Sequence, residues 1–414
     1  MNYDNIRIGL ERQLSDELYK TFEGKIIKKL LNEAQIEPQK ENVKSIFEGM
    51  NFKISQNLSP KLYSLCQQVQ ERLGFTDKTD YFIANEPTLN AFSIYRAEES
   101  HSHIIVLNSG LVEKLDDDEL MFVLGHEIGH LITGNSDLLR IFEFLFTEDN
   151  PIPLIFYNKI QLWKKVSELT ADRFGYIASP IMDKCVTNFF KLSSGLDTTR
   201  IAFSPQEYLA EVENQVVKMQ QTKTVQYFDH PVNPVRVKAL RLFSESDLFR
   251  NYANDDKKYS DAALNTGVQK LCELLYTIDD SEIGVHRKNF IAAGGLIIAG
   301  VDEQINEEEM TSILYTLANF TISPQEFLDS IVKSGKVENL FAQSLVAIVK
   351  MNPGERFNLF AFLIDIALAD DSVNKGEIDL LFTLGVKYFG LTRKEIAQMI
   401  AAKIQAGFVP SVFK

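Results

Sequence analysis

The chain has 414 residues, 45% of them hydrophobic and 24% charged, which excludes a largely disordered protein and predicts two or three domains. Lys and Arg total 43 against 57 Asp and Glu, and the net charge of −14 argues against nucleic-acid or anionic-lipid binding by charge. Cys66, Cys185 and Cys272 are too few and too widely spaced for a disulfide framework, and no apolar stretch approaches the ~20 residues of a membrane span, so a cytoplasmic protein without membrane segments is expected.

Residues 1–59 read as a helical segment, with Leu10, Leu14, Leu18, Ile26, Ile27, Leu30 and Leu31 at three- and four-residue steps. This amphipathic pattern suggests helices that gate a cleft. Tyr81–Ala84 and His103–Leu107 are short β-prone runs separated by Pro87, Asn90 and a polar stretch. Asp116–Asp118 offer N-caps for a helix that runs to Thr133 and stops at Gly134. The aromatic stretch 141–156 fits core packing better than a substrate pocket. A second helix is expected over about residues 159–178, ending before Pro180, and Ser204–Glu207 is a further cap signature. The polar segment near residue 255 predicts a boundary between a domain over 60–255 and an all-helical one over 256–414.

The segment from His126 to His130 is an HExxH motif. At 100° per residue the two histidines lie one turn apart on one helical face, where both imidazoles reach a single metal ion. Glu127 stands beside that face, placed to take a proton from a metal-activated water without being a ligand. Gly125 and Gly129 each cost about 1 kcal/mol relative to Ala in a helix interior, and their spacing bares a stripe of backbone to a closely packed neighbour. A third ligand is expected from another helix. Glu168 and Asp172 share one face at i and i+4, a repulsive pair that a nearby cation would stabilise. Glu168 as a zinc ligand, with Asp172 accepting from a ligand imidazole, explains both. Surface pairing with Lys164, Lys165 or Arg173 is the plainer alternative, and His101 and His103 are other candidate ligands.

HExxH followed by Glu-x-x-Ala-Asp, from Glu168 to Asp172, resembles the gluzincin metallopeptidases related to HtpX and the CAAX prenyl endopeptidase. Asn90-Ala91-Phe92 is similar to that family's Asn-Ala-Phe segment. Ile104–Leu107 with the residues that follow resembles its edge strand and lead-in, and His230-Pro231 with Arg236 resembles its His-Pro-x-x-x-x-Arg element. The resemblance covers roughly residues 60–245 and implies an α+β, predominantly helical zincin-type domain with a small sheet. It implies one Zn²⁺ per chain on His126, His130 and Glu168, Glu127 as general base, His230 as oxyanion stabiliser and Arg236 paired to an acid. The best-known members span membranes, which nothing in this sequence suggests. Polypeptide substrates, extended or unfolded, are expected to add as a strand along His103, Ile104, Ile105 and Val106, beside Asn90, Ala91 and Phe92.

The C-terminal region carries a gapless internal repeat, residues 299–310 against 367–378. It resembles a TerB-like domain of the tellurite-resistance group, which implies a second cation site on Asp302, Glu303, Asp370 and Asp371. Asn306 with Glu309 and Asn374 with Glu377 also fit ordinary helix N-caps. The function expected is a soluble zinc endopeptidase serving quality control or a stress response, with the C-terminal domain contacting a protein partner. The alternative is a catalytically silent scaffold or metal-stress protein acting through that domain.

Overall fold

The computed structural model describes residues 2–33, 39–96, 101–147, 150–222, 230–252, 261–276, 281–301, 306–370 and 373–407. The fold is mostly helical, with one small mixed sheet, in keeping with the α+β expectation. Two compact units are present, one of residues 1–151 with 160–277 and one of residues 152–159 with 278–414.

In the first unit the sheet is built from β1 (Phe52–Lys53), β2 (Thr79–Ala84), β3 (Ala91–Ile94) and β4 (His103–Asn108), in the order β1-β2-β4-β3. β4 runs parallel to β2, with Tyr81 opposite Ile105, and antiparallel to β3, with Phe92 opposite Val106. Every residue of β4 is buried, as a continuous apolar run demands of a strand covered on both faces. Ile104 and Val106 cluster with Phe82 and with Phe47 of the helix Gln39–Met50, while the HExxH helix packs against β3 and β4.

This corrects one expectation. His103–Val106 is an interior strand with both edges hydrogen-bonded, so it cannot accept a peptide; β3 forms the edge of the sheet instead.

The HExxH helix is Asp117–Thr133. Asp116 caps it through a reciprocal box with Glu119, three acids occupy its first turn, and Gly134 ends it at φ +69°. Glu119 is itself buried and takes a 2.7 Å bond from Lys191 of the helix Met182–Ser194, which fixes the N-terminal end of the HExxH helix. The long helix Leu154–Ala178 crosses it at close range. A Cβ at Gly125 would stand 2.5 Å from that of Ala178, and one at Gly129 would stand 3.0 Å from that of Phe174. Gly175 makes the same concession from the other side, 2.8 Å from the Phe122 carbonyl.

The N-terminal residues brace this helix pair. Arg173 donates to the Ile6 carbonyl at 2.8 Å, and the Ile8 amide donates to Thr170. Glu11 is fully buried against Arg7. Residues 253–260 lie outside those described, and the helix that follows, Ala262–Cys272, belongs to the first unit, with Leu264, Val268, Leu271 and Cys272 buried. The compact unit therefore extends past the polar stretch near 255, because an apolar helix face beyond that stretch still packs within it.

Among the described residues the second unit is all-helical, around a core that includes Phe290, Ile313, Leu345, Phe360 and Leu381. Asn306 and Glu309 form a reciprocal capping box, whereas Asn374 accepts from the Gly376 amide. The two repeat copies approach each other where Asn306 Nδ2 donates to Asp370 Oδ2 at 3.4 Å. Asp302, Glu303 and Asp371 lie outside the described residues.

Candidate metal centre

The close approach at the glycines brings Glu168, on the long helix, opposite the histidines. His126 Nε2 and His130 Nε2 are 3.1 Å apart, and Glu168 Oε2 and Oε1 lie 3.6 and 3.3 Å from them respectively. Ligands about 2.0–2.1 Å from a tetrahedral ion are separated by about 3.3 Å, and each histidine Nε2 has a Glu168 oxygen near that distance, so the three residues fit a single zinc ion. These three residues form the convergent His/carboxylate group found among the described residues.

Asp172 accepts from His126 Nδ1 at 2.9 Å, which fixes that ring with Nε2 turned toward the other donors. Arg236, from the helix Asn233–Ser244, grips both Asp172 oxygens at 2.9 and 2.6 Å and lies 3.6 Å from Glu168. Burial alone would raise both acids. The Arg236 charge holds Asp172 below the usual carboxylate range, and His130, His230 and His126 hold Glu168 well below it. Burial likewise disfavours a charged His130, but the facing Glu168 outweighs it and the imidazole pKa rises. Glu168 and Asp172 thus face the metal histidines and Arg236. Of the alternative cations, Lys165 is engaged on the Leu275 carbonyl and Arg173 on that of Ile6.

The site opens into a cavity of about 410 Å³. Glu127, His230 and Arg236 line it with the three donors, and Asn90, Ala91, Phe92 and Ser93 form one wall along β3. His230 is exposed, and its Nδ1 lies 3.6 Å from Glu168 Oε2. Leu89, Leu111, Phe122, Val123, Leu139 and Leu192 make the remainder largely apolar.

His103, Ile104, Ile105 and Val106 do not line the cavity. His103 is buried beneath the sheet end, where its Nδ1 accepts from the Arg96 amide and its Nε2 bonds Asp77; His101 is exposed. No residue before Leu89 lines the cavity among the described residues, and the described N-terminal residues Ile6 and Ile8 bond the long helix instead. Phe142 packs on Trp163 and Phe22, as a core residue does. Two functional neighbours escaped the sequence: Gly175, whose signal is its position one helical turn past Ala171, and Asn135, a polar residue directly after the Gly134 reversal.

Residues 57–145 match the model of Peptidase family M48, a span that contains both histidines and Glu127 but stops before Glu168. The chain is 25% identical over 154 residues to the plastoglobule-localized metallopeptidase 48, chloroplastic, of Arabidopsis thaliana, covering 36% of this chain and 44% of that protein. It is 35% identical over 79 residues to a protease HtpX homolog of Tropheryma whipplei, covering 19% and 26%. It is 26% identical over 116 residues to the protease HtpX homolog of Bacillus subtilis, covering 26% and 37%. The chain thus spans less than half the length of these relatives, and its M48 segment has metallopeptidases as homologues at low identity.

These relatives overturn the cytoplasmic expectation. They are HtpX homologues, from the group whose best-known members span membranes, and a plastoglobule-localized protein. No described helix is long and apolar enough to cross a membrane, but that fact assigns no compartment.

Proposed function

We propose that the chain is a zinc-dependent endopeptidase that hydrolyses extended or unfolded polypeptides. The observation that carries the reading is the convergence of His126, His130 and Glu168 at tetrahedral-edge spacings beside Glu127, in a cavity walled by an edge strand.

An extended peptide adds along β3, an edge strand among the described residues, at Asn90–Ser93, so main-chain hydrogen bonds position the scissile bond with little demand on sequence. His126, His130 and Glu168 would hold a zinc ion, which would supply Lewis acidity to acidify a water and polarise the peptide carbonyl. Glu127 takes the proton of the attacking water and delivers it to the leaving amine. His230, at the cavity rim, hydrogen-bonds the carbonyl oxygen as negative charge develops there. Asp172 and Arg236 keep the His126 ring in its ligand orientation.

For the helical C-terminal unit, residues 278–414, the internal repeat supports a TerB-like domain that contacts a protein partner, with a place in quality control or stress. The hydrogen bond between the two repeat copies, Asn306 to Asp370, supports it as one domain of two similar halves. A second cation site on Asp302, Glu303, Asp370 and Asp371 gains no support, since the Asn306 and Glu309 of the first copy are explained by helix capping.

The test is cleavage of a denatured protein substrate by zinc-loaded wild type and Glu127→Gln. The variant should bind zinc normally and lose about 10²–10⁴-fold in turnover. Equal turnover would refute the assignment of Glu127.

A further inference from the structure

His126 and His130 differ in what stands behind them. The His126 ring is oriented by the Asp172 carboxylate at Nδ1. At His130 the group facing Nδ1 is the Asn135 carboxamide, with Nδ2 at 3.5 Å. Gly134, in the left-handed conformation at φ +69°, reverses the chain between the two helices and brings Asn135, the first residue of the next helix, back against the ring. Asn135 is 3% exposed and lines the cavity, and among the described residues its Oδ1 is buried with no hydrogen-bond partner.

The arrangement is informative because a neutral imidazole carries one proton. With Nε2 among the three donors, a metal there needs the Nε2 lone pair, so the proton must sit on Nδ1. Nδ1–H then needs an acceptor, and the –NH₂ end of Asn135 cannot provide one. A half-turn of the carboxamide exchanges its two ends. The buried Oδ1 gains a donor, His130 gains an acceptor, and both deficits are met by one rotation.

We infer that Asn135 is a positioning residue for His130, its carboxamide presenting Oδ1 to the imidazole Nδ1–H and so fixing the ligand tautomer. The site then holds one histidine with a charged acceptor and the other with a neutral one. This rests on the proposed assignment of His130 as a ligand.

The test is Zn²⁺ affinity, measured by chelator competition on the full chain, for wild type, Asn135→Leu and Asn135→Asp, with apo-protein melting recorded for each. Leu keeps the volume and removes the acceptor, and should weaken zinc about 10–100-fold with little change in apo melting. Asp restores an acceptor and should bind within a few-fold of wild type or tighter. Asn135→Leu binding as wild type does, or Asn135→Asp binding as weakly as Asn135→Leu, would overturn the inference. ¹⁵N-histidine NMR of zinc-loaded wild type covers the case in which Asn135→Leu fails to fold: a His130 proton on Nδ1 is expected, and one on Nε2 refutes it. Wild type that binds no zinc removes the ligand assignment, and the inference with it, whereas wild type that binds zinc beside an indifferent Asn135→Leu removes the inference alone.

Discussion

Replacing Gly125 by Ala tests whether helix separation sets the metal geometry. The added methyl would stand 2.5 Å from Ala178 Cβ, 2.9 Å from the Phe174 carbonyl oxygen and 3.0 Å from Gly175 Cα. Non-bonded carbons rest at about 3.5–4.0 Å, so relief requires the helices to part by roughly 1 Å, and two of the obstructing atoms are backbone. Overpacking of this kind costs about 1–3 kcal/mol, and the backbone obstruction favours the upper part of that range. Ala returns about 1 kcal/mol of helix propensity. The net loss in apo stability is about 2 kcal/mol, or a fall in Tm of about 4–8 °C for a unit of this size. Glu168 rides on the displaced helix, so a 1 Å shift takes its 3.3 and 3.6 Å spacings beyond a tetrahedral edge. Zinc affinity and turnover should fall by about 10²-fold. Gly129→Ala meets its nearest atoms at 3.0–3.1 Å and should show the same effects in weaker form. Differential scanning calorimetry of the apo protein and chelator competition read the two quantities. A Gly125→Ala protein with wild-type Tm and zinc affinity would refute the reasoning.

Arg236→Ala strips Asp172, buried in the protein, of its bidentate cation, and should cost about 3–5 kcal/mol by urea titration of the apo protein. Arg7→Ala leaves Glu11 buried and unpaired and should cost a similar amount, whereas Arg7→Met with Glu11→Leu should be near neutral; equal losses in both would contradict the pairing account. Burial and the Arg96 charge lower the His103 pKa below 6.5 despite the bond to Asp77. The unfolded chain then binds more protons than the folded one just below pH 6.5, so stability should fall as the pH drops from 6.5 toward the lower folded value. His103→Asn should flatten that part of the urea-midpoint profile, and an unchanged slope would assign it to other groups.

Much of the metal site was legible because helix chemistry is local. Asp116 and Gly134 bounded the HExxH helix, His126 and His130 shared a face by period alone, and the Gly125 and Gly129 stripe announced a close neighbour. The identity of that neighbour as the Glu168 helix is a tertiary fact, and the sequence offered it only through the like-charged pair Glu168 and Asp172. The sheet was less legible. Ile104–Leu107 is apolar at successive positions, a pattern of burial on both faces that conflicts with its resemblance to an edge strand, and β3, only four residues long, carries too weak a signal in the sequence to identify the true edge. The compact unit continues beyond the polar stretch near 255, because the burial of Leu271 and Cys272 depends on packing that a local composition signal does not carry. Asn135 escaped because an Asn after a helix-ending Gly is ordinary turn chemistry until the His130 ring is seen beside it.

The most direct measurement is the metal content of the purified full chain by elemental mass spectrometry, for wild type and Glu168→Ala. The account predicts about one tightly held zinc per wild-type chain and almost none in the variant, with the apo fold retained. A wild-type chain without divalent metal after exposure to Zn²⁺, or a Glu168→Ala chain that keeps its full complement, would contradict it.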